Sequence, residues 1–119
     1  MTDLRTTSDL VPAARKDGDV VVAALRGEID LHNSPELRTA LLDLLTRVNP
    51  KRLILNLSQV PYMDSSAIAV LVEMLQKLRR AGGKIFLTNL QPRVKGLLEI
   101  ARLDSIFVLV ATDEDALKK

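Results

Sequence analysis

Apolar residues along this chain recur at strand spacing in some stretches and at helix spacing in others, and the changes of period mark out its elements. Residues 1 to 9 are polar, mixed in charge and without period, and read as a flexible lead-in. Leu10 to Arg15 reads as an edge strand, the position in a sheet that tolerates Pro12. Lys16-Asp17-Gly18-Asp19 carries the Asp-Gly signal of a hairpin turn, and the Val-rich run from Val20 to Arg26 is the returning strand. Gly27-Glu28-Ile29-Asp30 breaks that strand. A helix opens at Ser34-Pro35, where Ser34 can cap and Pro35 suits the first helical position. Leu37, Leu41, Leu44, Leu45 and Val48 follow at helical spacing until Asn49-Pro50 stops them.

Leu53 to Leu57 is short and almost wholly apolar, as a strand covered on both faces must be. A second helix runs from about Ser65 to Arg80 and ends at Gly82-Gly83, and Lys84 to Thr88 is another apolar strand. Strand, helix and strand in this order predict a right-handed parallel crossover. Pro92 opens a third helix with Val94, Leu97, Leu98 and Ala101 on one face, and Ile106 to Val110 is a last strand. Thr112, Asp113 and Asp115 begin a terminal helix that Lys118 and Lys119 close, each charge matching the helix dipole. The pattern contains no internal repeat and no second domain, so residues 10 to 117 are expected to form one α/β unit.

Composition narrows the function. For a chain of 13.1 kDa, surface scaling gives a folded area of about 6,400 Å² against about 19,000 Å² unfolded, enough burial for one core. Apolar residues make up 47% of the chain but aromatics only 3%, so the core is built from Leu, Val, Ile and Ala. Stacking platforms for nucleic-acid bases are correspondingly scarce. The absence of cysteine removes disulfides, thiolate metal sites and a cysteine nucleophile, and suits a reducing compartment. No N-terminal apolar segment is present and the uninterrupted apolar runs, such as Val20 to Leu25, are only six residues long, so no membrane insertion is expected and the reading is cytoplasmic. Seventeen basic and fifteen acidic residues are interspersed, and the basic doublets Lys51-Arg52, Arg79-Arg80 and Lys118-Lys119 sit at element ends rather than on one nucleic-acid-binding face.

The informative stretch is Val60-Pro61-Tyr62-Met63-Asp64-Ser65-Ser66-Ala67-Ile68. It lies between the carboxyl end of a buried strand and a helix N-terminus, where open α/β sheets place their working sites. Asp64 or Ser65 can cap the helix, and capping alone would account for both. One residue every 100° puts Ile68, Leu71, Leu75 and Leu78 on the core side, with Ser66, Ala69, Val70, Glu73 and Lys77 outward. Ala69 and Val70 then leave a partly apolar strip beside the serines, which suits docking.

Catalytic readings fit less well. A serine hydrolase would have to combine Ser65 with the single His32 and Asp30 or Asp64, and no G-x-S-x-G elbow is present. Gly82-Gly83-Lys84 lacks P-loop spacing and follows a helix instead of preceding one. No His, Cys or carboxylate cluster has metal-ligand spacing, and no cofactor is implied. The chain reads as a binding module and not an enzyme.

Gly27-Glu28-Ile29-Asp30, the strand Leu53-Ile54-Leu55-Asn56-Leu57, Tyr62-Met63-Asp64-Ser65-Ser66 and Gly82-Gly83-Lys84, in this order and spacing, closely resemble the STAS domain of bacterial anti-sigma factor antagonists. The resemblance covers roughly Leu10 to Leu117. It implies a mixed, mostly parallel sheet of four to five strands packed with about four helices. It further implies partner switching: the unphosphorylated antagonist binds an anti-sigma factor that is also a serine kinase, phosphorylation of the first serine of Asp-Ser-Ser, here Ser65, ends the interaction, and a PP2C-type phosphatase restores it. Asp64, Ser66, Ala69, Val70 and Glu73, with Glu28 and Asp30 in a loop that the family places beside the phosphoserine turn, are the expected partner-binding residues. The free protein is expected to be a monomer. Ala67 stands where the family often has glycine, with Ala69 two further on, which predicts altered partner choice rather than loss of switching; the Pro12-containing N-terminal segment is longer than usual, which leaves the first strand open. Within the same fold the competing role is a scaffold subunit of a membrane lipid-transport complex, without phosphoryl control.

Overall fold

The computed structural model describes all 119 residues. Its accessible surface of 6391 Å² is the area expected of one folded chain of this mass. Six strands form one sheet in the order β1 (Thr2–Leu4), β2 (Ala13–Asp17), β3 (Val20–Arg26), β4 (Arg52–Gln59), β5 (Lys84–Thr88) and β6 (Val108–Val110). The first three are antiparallel neighbours, and β3 to β6 run parallel. Helices α1 (Ser34–Val48), α2 (Ser65–Arg80) and α3 (Pro92–Ile100) make the three connections between parallel strands, and α4 (Asp113–Leu117) closes the chain.

The two faces of the sheet are read off strand alternation. Val21, Ala23 and Leu25 of β3, Leu53, Leu55 and Leu57 of β4, and Ile85 and Leu87 of β5 join α1, α2 and α3 in the main core. Val20, Val22, Ile54 and Phe86 face the other way and pack with Ala116 of α4. That is why the central strands are apolar at nearly every position while β2 is mostly exposed.

The lead-in expectation fails in part. Thr2–Leu4 pairs with Ala14–Lys16, Arg47 donates to the Arg5 carbonyl, and Ser8 donates to the Glu36 carboxylate. The sheet therefore has one strand more than expected, and β2 is an inner strand, with Pro12 just ahead of it. The hairpin turns at Gly18-Asp19, one residue later than the Asp-Gly signal, since Asp17 pairs with Val20. Ser34 lies inside α1 and is buried, with Asn33 in the cap position. Ile106 precedes β6, which begins at Val108.

Candidate functional site

Two loops leave the carboxyl ends of the adjacent parallel strands β3 and β4, and the candidate residues lie on them. The first, residues 27 to 33, turns sharply away at Gly27, whose φ of +90° is a conformation costly for any residue with a Cβ. Ile29 then re-enters the core, fully buried. The second, residues 60 to 64, is held to the first by a single parallel bridge between Ile29 and Met63. The Ile29 N–H donates to the Tyr62 carbonyl and the Asp64 N–H to the Ile29 carbonyl, both at 3.0 Å. Arg93 of α3 lies over the Tyr62 ring at 4.7 Å, a cation–π contact on the far side of the turn.

Asp64 is the junction. Its Oδ1 accepts from the Ser66 N–H at 2.9 Å, the Ala67 N–H at 3.2 Å and the Ser66 hydroxyl at 2.5 Å. Its Oδ2 accepts from the Leu31 N–H at 3.0 Å. One oxygen caps α2 and the other fastens the neighbouring loop, 33 residues earlier in the chain. The Ser66 hydroxyl is the chief cause holding the Asp64 carboxyl below the usual carboxylate range; burial opposes it, and the backbone N–H groups of Ala67, Ser66 and Leu31 add to the lowering.

This network separates the two serines. Ser66 is half-buried with its hydroxyl committed to Asp64. Ser65 opens α2, is exposed, and its hydroxyl makes no hydrogen bond within the chain. It lines none of the surface cavities.

The other expected residues are partly gathered. Glu28 and Asp30 are exposed on the first loop, and Asp30 Oδ1 accepts from the His32 and Asn33 N–H groups, which shapes the loop. Ala69 is exposed one turn beyond Ser65. Val70 is not outward: it is 6% exposed and belongs to the main core. Glu73 is half-buried and bound by both oxygens to Arg38 of α1, at 2.7 and 2.8 Å. Arg38 is the chief cause holding the Glu73 carboxyl below its ordinary value. α2 is thus flanked by α1 as well as by the sheet, and a wheel drawn for one buried face underestimates its apolar arc. His32 is exposed, and no hydrogen bond joins its ring to Ser65. No group of three His, Asp or Glu residues is placed to hold a metal ion, and no helix is long and apolar enough to cross a membrane.

Reasoning from sequence missed Leu31 and Arg38. Leu31 is 76% exposed beside the Ser65 turn, and an isolated loop leucine gives no signal of that placement.

Comparison with known proteins gives a family, two relatives and a solved structure to which the chain is similar. Residues 11–116 match the STAS domain family. The anti-sigma-B factor antagonist of Bacillus subtilis is 32% identical over 104 residues, covering 87% of this chain and 93% of that protein. YvdB of the same organism, named as a candidate sulfate transporter, is 36% identical over 88 residues; these make up 74% of this chain but only 16% of the transporter's length. Among solved structures, an anti-sigma factor antagonist from Mycobacterium paratuberculosis superposes with a TM-score of 0.79 at 27% identity, covering 88% of each chain.

Proposed function

Because the chain belongs to the STAS domain family, we propose that it is an anti-sigma factor antagonist working by partner switching. With a free hydroxyl on Ser65 it binds an anti-sigma factor that carries serine kinase activity. Once Ser65 is phosphorylated the complex separates, and a PP2C-type phosphatase resets the switch. The chain acts in the cytoplasm as a binding module and catalyses nothing itself.

The observation that carries this reading is the division of labour at the helix mouth: Asp64 and Ser66 satisfy each other, while Ser65 stands exposed with its hydroxyl unengaged. A kinase reaching this turn finds one available acceptor. Phosphorylation adds about −1.5 to −2 of charge at pH 7. On the free protein that charge stays in water at the α2 N-terminus, where the helix dipole offsets part of its repulsion from Asp64. In a complex the dianion has to be desolvated against a surface fitted to a hydroxyl. This costs several kcal/mol unless it is paired, and about 3 kcal/mol is already a hundredfold in affinity. Release then needs no refolding. Asp64 and Ser66 order the turn, and Ala69, Glu28 and Asp30 border the contact. Glu73 reaches it as part of its pair with Arg38, whereas the buried Val70 does not take part.

A second reading, a non-switching scaffold subunit of a membrane transport complex, is favoured by the identity with a segment of YvdB. Co-purification from the native cytoplasm with wild type, Ser65→Ala and Ser65→Asp as baits separates the two. The switch requires that Ser65→Ala retain a kinase which Ser65→Asp sheds, with intact mass showing phosphate on wild type only. Equal retention by both variants would favour the scaffold.

A further inference from the structure

Resting on the switch reading, we propose that Leu31 is the apolar anchor of the partner interface and a determinant of which partner is accepted. Four large apolar residues are exposed in the chain: Met1, Leu31, Ile100 and Val108. Single exposed leucines are ordinary on protein surfaces. Two features distinguish this one.

The first is its tie to the switch. The Leu31 N–H is bonded to Asp64 Oδ2, and Asp64 Oδ1 caps the helix whose first residue is Ser65. The Leu31 backbone and the first turn of α2, which displays Ser65, are therefore held through one carboxylate, and a surface that covers Ser65 meets Leu31 as well.

The second is rigidity. Around Leu31 the Asp30 N–H donates to Asn33 Oδ1, the His32 N–H to Asp30 Oδ1, and the Asn33 amide to the Glu28 carbonyl. Ile29, two residues before, is locked in the core. The backbone is fixed at both sides of a side chain that takes no part in packing against the core. An anchor whose backbone is already ordered loses little conformational freedom on binding, which is how a small contact carries a large share of affinity. Glu28 and Asp30 are exposed on the same loop, so the complementary surface is an apolar pocket whose basic side faces that loop and leaves Ser65 without a cation. Such a pocket discriminates partners, because a leucine facing a polar or filled site is rejected.

The probe is the kinase retained by the Ser65→Ala bait, produced on its own and titrated calorimetrically against the full chain. Burying a leucine side chain is worth about tenfold to a hundredfold in affinity, so Leu31→Ala is expected to weaken binding at least about tenfold. Leu31→Met should recover most of it, and both variants should melt with wild type. Wild-type affinity in Leu31→Ala, while Ser65→Asp still releases the kinase, overturns the anchor and leaves the switch standing. Equal binding by wild type, Leu31→Ala and Ser65→Asp, or failure of the Ser65→Ala bait to retain any kinase, overturns both.

Discussion

Ile29→Ala tests whether the core, through one side chain, positions the switch. Ile29 is fully buried in the main core, and its backbone makes both main-chain-to-main-chain hydrogen bonds that join the two site loops. The substitution removes three carbons, about 2.4 kcal/mol of transfer free energy at about 0.8 per methylene, and adds a cavity, for about 3–4 kcal/mol in all. Unfolding entropy of about 2.1 cal/mol/K per residue gives about 250 cal/mol/K for this chain, so the melting temperature should fall by about 12–16 °C. Calorimetry measures that shift. Amide hydrogen exchange measures the local consequence: the Leu31 and Asp64 N–H groups, which close the turn, should lose protection beyond the global loss. A variant melting within about 3 °C of wild type, or one whose Leu31 and Asp64 amides exchange only in step with global unfolding, would refute the reasoning.

Two further outcomes follow from other parts of the molecule. At the end of α2, a Cβ on Gly83 would lie 2.7 Å from the Lys51 carbonyl oxygen, which also accepts the Lys84 N–H. Gly83→Ala should therefore cost about 2–4 kcal/mol through overpacking and a disturbed hydrogen bond; Gly82→Ala, open in space but at φ +77°, should cost only about 1–2 kcal/mol, and the reverse ranking in urea denaturation would contradict the packing. The carboxyls of Asp64 and Glu73 are both held below their ordinary values, by Ser66 and Arg38 respectively. A folded-state pKa below the unfolded one stabilises fully above the unfolded pKa and is lost as pH falls through the folded one. The melting temperature should thus be level from neutrality to about pH 5 and decline below about pH 4; a decline beginning above about pH 6 would mean that other groups govern it.

The periods that were clearest in the sequence proved dependable. Helix α2 spans Ser65–Arg80 and β5 spans Lys84–Thr88 as the apolar spacing predicts, because the core alone dictates those positions. Thr2–Leu4 was illegible for the opposite reason. Its strand is held by backbone bonds to β2 and by anchors such as Arg47 to the Arg5 carbonyl, none of which leaves a periodic mark. Val70 was misplaced because the second wall of its packing, α1, contributes Leu37, Leu41 and Leu44 from a distant part of the chain. With that wall in place, Ala67, Val70 and Met74 are buried along with Ile68, Leu71, Leu75 and Leu78.

At the site, the sequence put Ser65 at the mouth of α2 and offered Asp64 as one of two caps, but the second bond of the carboxylate was invisible because its donor lies 33 residues away. That bond makes Asp64→Asn a decisive substitution. An amide oxygen in the Oδ1 position can still accept from the Ser66 and Ala67 N–H groups, so α2 should keep its cap. The amide nitrogen then faces the Leu31 N–H, donor against donor, and cannot reproduce the tie. If Leu31 binds the partner because its loop is held in place, Asp64→Asn should leave circular dichroism near wild type, speed Leu31 amide exchange and weaken the kinase complex about as much as Leu31→Ala does. Undiminished Leu31 protection in that variant would show that the loop holds its shape unaided, and the link drawn from the carboxylate to the leucine would be wrong.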